Sequence, residues 1–159
     1  MVVEQKRLSP EQALQKIYNY CAYQERSHRE VRNKLYTYGL WRNQVEDLIT
    51  RLITEGYLNE ERFAKSFAGG KFRMKKWGRV KITRELEAHG LTPRCIRQGL
   101  NEIDESDYQR TLESLITRKW EATEEPNAFK KKDKVARYAI MKGYESDLVW
   151  GIIREFDSV

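Results

Sequence analysis

Between positions 71 and 84 the chain reads KFRMKKWGRVKITR, which places Lys71, Arg73, Lys75, Lys76, Arg79, Lys81 and Arg84 in one run without an acid. Counted from Lys65, the acid-free stretch holds eight cations, while the whole chain carries a formal charge of +6. The rest of the sequence therefore sums to −2, so the basicity is local. A second cluster, Lys130, Lys131, Lys132, Lys134 and Arg137, is interrupted only by Asp133. Such clusters can hold phosphates or an acidic protein surface through charge and N–H donors, without making or breaking a bond.

Chemistry of other kinds has little to stand on. His28 is expected in the first turn of a helix, and His89, just before Gly90, at a helix end where an imidazolium suits the partial negative charge. Among acidic runs such as Glu46-Asp47, Glu60-Glu61 and Asp104-Glu105, the first two are expected in helix first turns, where carboxylates are favoured without a metal. Gly69-Gly70 has no phosphate-loop context, and close helix packing or a bend is the expected reason for it. Cys21 and Cys95 are far apart with no Cys-x-x-Cys partner, so they are expected to be small buried apolar residues rather than zinc ligands or a disulfide. These residues assign no catalytic group, no metal and no cofactor.

The elements that must position the cations follow from a repeat of about fifty residues. When Gly39, Gly90 and Gly143 are superposed, the residues eight and four before them are Val31, Ile82, Val135 and then Leu35, Leu86, Ala139. After them come Leu40, Leu91 and Tyr144, then Val45, Ile96 and Val149, then Ile49, Leu100 and Ile153, and last Leu52, Ile103 and Phe156. All are apolar in a chain that is 40% hydrophobic. The spacing is that of two amphipathic helices meeting at a glycine that ends the first by adopting positive φ.

Ser9-Pro10-Glu11-Gln12 and Ser27-His28-Arg29-Glu30 read as capping boxes, Thr92-Pro93 as a cap followed by a first-turn proline, and Asn59 and Ser106 as two further caps. A third helix precedes each pair, on the stripes Leu14-Ile17-Tyr18-Cys21, Phe63-Ala64-Phe67 and Tyr108-Leu112-Leu115-Ile116-Trp120. Pro126 marks an exposed connection within residues 121–129. The expected architecture is all-α, nine helices in three tandem three-helix repeats, 9–57, 58–104 and 105–159. These would stack into an elongated array joined by right-angle loops, because a fifty-residue unit is marginal alone.

Charge runs are most often solvated surface. Here the two clusters recur on equivalent second helices and hold the excess charge, which favours an anionic partner along one extended strip. A helix-turn-helix reading of duplex DNA fits poorly, since Glu46, Asp47, Glu145 and Asp147 stand where a recognition helix would meet phosphates. MVVEQKRL lacks a signal-peptide core, and no stretch approaches a membrane span, so a cytoplasmic protein is expected.

The segments RSHREVRNKLYTYGL, GYLNEERFAKSF, GRVKITRELEAHGL and RYAIMKGY, in that order, resemble the RecX family of bacterial regulators of the RecA recombinase. Arg26, Ser27, Glu30, Leu35, Leu58, Arg62, Phe63, Ala64, Gly78, Glu85, Leu86 and Gly90 stand at the family's recurring positions. Where family members often read Gly-x-Gly-Pro, this chain has Lys76-Trp77-Gly78-Arg79. The resemblance implies a curved, modular helical protein without catalytic residues that lodges in the groove of the RecA filament on single-stranded DNA; a monomer is expected. There it would inhibit ATP hydrolysis, strand exchange and repressor cleavage. No family motif fixes the contacts, so the two cation clusters are assigned to filament or DNA binding on charge alone.

Overall fold

A computed structural model describes residues 7–157; residues 1–6 of the MVVEQKRL segment and the last two of the third expected repeat, 158 and 159, lie outside it. Ser9 and Ser27 each accept from the backbone N–H three residues on while Gln12 and Glu30 reach back to the cap, so both capping boxes form. They open α1 (Pro10–Tyr23) and α2 (His28–Thr37), and α3 (Arg42–Thr54) closes the first unit. Asn59 caps α4 (Glu60–Lys75), which is followed by α5 (Arg79–Ala88). Thr92 and Pro93 open α6 (Pro93–Leu100). The third unit holds α7 (Glu105–Ala122), α8 (Ala128–Met141) and α9 (Ser146–Ile153), closed by a 3-10 turn at Arg154–Asp157. The described residues are thus all-helical. One cap differs: Asp104, not Ser106, accepts the Asp107 N–H, because a carboxylate placed one residue ahead of the helix complements its positive end.

Gly39, Gly90 and Gly143 have φ of +83°, +82° and +103°, the left-handed turn that ends α2, α5 and α8. The Gly90 and Gly143 amides each return to the carbonyl three residues back, and Leu91 and Tyr144 to the carbonyl five back, which tightens the joint. Of the apolar positions in register around the three glycines, all but Leu100 and Phe156 are buried, and those two pack on the core from its edge. Gly69 and Gly70 do not serve close helix packing. A Cβ at Gly69 would meet only the flexible Arg73 guanidinium, one at Gly70 would meet nothing, and α4 runs unbroken through both. The glycine of helix contact is Gly99, whose added Cβ would lie 2.7 Å from the Ala64 carbonyl oxygen where α6 crosses α4.

The three units do not share one core. Ala13, Ile17, Val31, Leu35, Val45 and Leu52 form a core of the first unit that closes with Leu58. Units two and three share the other, in which Phe72, Tyr108 and Tyr144 stack with ring centres 5.8 and 5.1 Å apart. The first seam is accordingly polar: buried Ser27 Oγ lies 2.9 Å from His89 Nδ1, His28 Nδ1 is 2.8 Å from Glu60, Arg62 is 2.6 Å from Glu25, and Arg29 donates to the Ala88 carbonyl. The second seam has the shared apolar core behind it and adds hydrogen bonds to backbone carbonyls. The Gly78 and Val80 N–H groups donate to the Lys142 and Gly143 carbonyls, both at 2.8 Å, and Tyr144 donates to the Lys76 carbonyl at 2.9 Å.

Candidate polyanion interface

The fold distributes the first cation cluster over three surfaces, because helical periodicity turns neighbouring residues through 100°. Lys71 and Lys75, one turn apart on α4, border a crevice against the first unit that also contains Glu25, Glu30 and His89. Lys71 and Lys81 both lie over the Trp77 ring, with their Nζ atoms 5.1 and 4.4 Å from its centre. Arg84 is exposed on the outer face of α5, and Arg73 is exposed on α4 above Gly69. Lys76 lies on a third surface, at the lining of a hollow between α7 and α8.

Arg79 is engaged within the molecule. Its guanidinium meets Glu105 and Glu145, each at 2.8 Å, and lies 3.9 Å from the centre of the Tyr108 ring. Tyr108 in turn donates to Glu145 and accepts the Arg79 backbone N–H. Burial works against the Arg79 charge, yet the two carboxylates hold its pKa above the usual guanidinium range. This node ties the start of α5 to the starts of α7 and α9, so Glu145 has a structural partner rather than an open face. Glu46 likewise pairs with Arg32 at 2.8 Å, and that hydrogen bond lowers its pKa; it lies in the second turn of α3, not the first. Arg79→Ala leaves Glu145 and Glu105 without their cationic partner and uncovers the Tyr108 ring, while the backbone N–H that the Tyr108 hydroxyl accepts is kept. A loss of roughly 2–3 kcal/mol is expected, the range for hydrogen bonds to charged groups, as a lowered urea midpoint at unchanged m-value.

The hollow between α7 and α8 is the chemically distinctive surface. It has a volume of about 560 Å³. Arg110, Ser114 and Arg118 rise along its α7 wall, one turn apart, Lys119 lies 4.6 Å above the Tyr138 ring on its floor, and Lys76 and Lys142 close one end. No Asp or Glu lines it. Beyond Tyr138 the groove continues past Lys134 and Arg137, with Glu124 on its edge. Lys130, exposed, lies one turn ahead of Lys134 on the same stripe of α8. Lys131 instead covers Trp120 at 4.4 Å, and Lys132 is half-buried. Lys134 pairs with Glu125 at 2.9 Å and lowers its pKa, Arg137 pairs with Asp133 at 3.0 Å, and Arg110 pairs with Asp107. Surface pairs of this kind contribute little to stability, so an anion can displace them.

Of the cations the sequence singled out, Lys76, Lys134 and Arg137 therefore meet in one groove. Arg110, Arg118, Lys119 and Lys142, which charge runs did not reveal, complete it. Lys76 is also the one non-glycine residue with positive φ among those described, at +58°. That conformation costs an L-residue about 1–2 kcal/mol, and Lys76 is among the residues that line the groove.

Among the described residues no helix is long and apolar enough to cross a membrane, and no group of three His, Cys, Asp or Glu side chains is placed to hold a metal ion. Residues 59–100 match the family description "RecX, second three-helix domain" and residues 105–153 "RecX, third three-helix domain". The regulatory protein RecX of Pseudomonas savastanoi pv. phaseolicola is 30% identical over 128 residues, covering 80% of this chain and 81% of that protein. That of Oceanobacillus iheyensis is 23% identical over 140 residues; the chain spans about half of that relative's length, 52%, and 61% of the relative from Clostridium perfringens. The crystal structure of RecX from Lactobacillus salivarius superposes with a TM-score of 0.81 at 20% identity, over 94% of this chain and 97% of that one, which is a likeness of fold. Two three-helix domains matched in order, together with 30% identity over four-fifths of both chains, exceed what a shared fold requires: the chain belongs to the RecX family.

Proposed function

We propose that this protein is a cytoplasmic, monomeric regulator of the RecA recombinase that lies along the groove of the RecA filament on single-stranded DNA. Occupying the groove inhibits ATP hydrolysis, strand exchange and RecA-promoted cleavage. No covalent step is involved: a bound protein shifts the filament between states only by its differential affinity for them. The observation that carries the reading is a set of cations without carboxylate partners among the described residues, Lys71, Lys75, Lys76, Lys81 and Arg84, in a chain of this family. A tandem array of helical units suits a long repeating partner, which it can touch at several points at once.

The test is RecA ATPase on single-stranded DNA as the protein is titrated in. Inhibition at amounts well below one protein per RecA is expected. If the rate changes only once the protein saturates the DNA, it competes for the strand as a general nucleic-acid binder and needs no contact with RecA.

A further inference from the structure

The groove between α7 and α8 has a donor set more specific than positive charge. Its walls offer Arg110, Arg118, Lys119 and Lys142 together with the hydroxyls of Thr111 and Ser114, with Tyr138 between them. Arg, Lys, Ser, Thr and Tyr are the side chains that contact phosphate oxygens in nucleic-acid complexes. Arg110 and Arg118 flank Ser114 at one-turn intervals, a rise of about 6 Å per step, which matches a partner whose charge repeats regularly along its length. Apolar lining is confined to Leu115 and Ala122. An acidic peptide helix would need a row of apolar anchor pockets, and the groove has none to give it. A cleft between two adjacent helices also admits one strand more readily than a duplex.

Lys76 adds an independent observation. The turn that ends α4 uses a left-handed residue, where glycine costs least, and this chain places there a lysine that lines the groove. Backbone strain retained at a charged residue bordering a cleft points to a use for that charge.

We infer that the α7–α8 groove is the seat of the phosphodiester backbone of single-stranded nucleic acid. The strand runs from Lys76 and Lys142 past Tyr138 toward Lys134 and Arg137. Resting on the filament reading for the choice of a single strand, this gives the DNA-contacting role to the third unit. Lys71, Lys75 and Arg84, which face other surfaces, are left to contact protein.

The experiment compares three forms of the full chain by anisotropy of a labelled oligothymidylate across a salt series. One variant removes Arg110, Arg118 and Lys142 as Gln; a control removes Lys16, Arg42 and Arg94, exposed cations outside the groove, as Gln. Each cation withdrawn from a phosphate of a single strand flattens the log K against log salt slope by about 0.7. The groove variant should flatten it by about 2 and bind roughly 100-fold more weakly at 0.1 M salt, while the control changes both little. Lys76→Gly, measured alongside, should raise the urea midpoint yet weaken binding several-fold, which a purely structural lysine would not do.

Equal losses in the groove variant and the control would mean that only net charge matters, and would overturn the site. So would unchanged oligonucleotide binding in the groove variant, including the case in which it loses inhibition of RecA already saturated on DNA; the groove would then face an acidic protein surface. The filament reading is judged separately, on the wild-type ATPase titration. A groove that binds the strand while the wild type leaves RecA unaffected would sink that reading and leave this one standing.

Discussion

Gly78→Ala is expected to destabilise the protein by about 3 kcal/mol, although φ at this position is −82° and suits any residue. The loss comes from what a methyl group would meet. A Cβ at Gly78 would overlap the carbonyl carbon and oxygen of Gly143 and lie 2.5 Å from the Tyr144 amide nitrogen. These are backbone atoms, which cannot swing aside as a side chain end can. Relieving the overlap moves the turn between α8 and α9 away from the start of α5, and with it the Gly78-to-Lys142 and Val80-to-Gly143 hydrogen bonds. Two such bonds contribute about 1 kcal/mol each, and overpacking adds about 1–3 kcal/mol. For a domain of this size the melting temperature should fall by roughly 6–12 °C. Gly70→Ala, eight residues away, has the opposite sign. Its added Cβ meets nothing, it lies in the interior of α4, and it should stabilise by up to about 1 kcal/mol. Two Gly→Ala changes of opposite sign, followed by thermal and urea unfolding, test the backbone contact. Equal effects would show that the seam tolerates a methyl group.

The contrast between those glycines marks the limit of what the chain reveals by itself. Positive φ at Gly39, Gly90 and Gly143, the capping boxes at Ser9 and Ser27, and the apolar stripes are local consequences of local sequence, and they were legible. That Gly99 and Gly78, rather than Gly69 and Gly70, mark close approach depends on which helices cross, and no spacing rule contains that. The charged groove was half visible for the same reason. Lys76, Lys134 and Arg137 stand in obvious runs. Arg110, Arg118 and Lys119 are interspersed in α7 with Glu105, Asp107, Glu113 and Glu121, so the helix is slightly acidic as a string and basic only along one wall. Arg79 erred in the other direction, toward apparent availability. It sits in the strongest run, yet two carboxylates more than twenty residues away occupy it. A search for cations at one-turn spacing on a helix, without regard to intervening acids, would have marked Arg110 and Arg118.

The two cores also predict how the protein fails in alkali. Cys21 is nearly inaccessible in the first core, and burial pushes its thiol up to about 11 from an ordinary 9.0. Tyr108 and Tyr144 are buried in the second core, where burial, followed by Glu145, pushes both phenols well above the usual tyrosine range. In each case folding favours the protonated form, so above the unfolded-state pKa the unfolded chain releases protons that the folded one retains. The stability from these groups is complete below about pH 9. It is lost progressively as pH rises, first through Cys21 and from about pH 10 through the tyrosines as well, at up to about 1.4 kcal/mol per pH unit for each group. By pH 11 the summed loss is roughly 5 kcal/mol, comparable to the whole stability of many domains. Lysine deprotonation also contributes there, and a variant separates it. Tyr144→Phe removes one titrating group and the hydrogen bond to the Lys76 carbonyl, so at pH 7 it should cost about 1 kcal/mol. Between pH 10 and 11 its stability should fall less steeply than that of the wild type, by up to about 1.4 kcal/mol per pH unit, so the two curves converge near pH 11. Urea unfolding at half-unit steps from pH 8 to 11 measures both slopes. Parallel curves would mean that Tyr144 ionises in the folded state, and the seam between the second and third units would then be open to water.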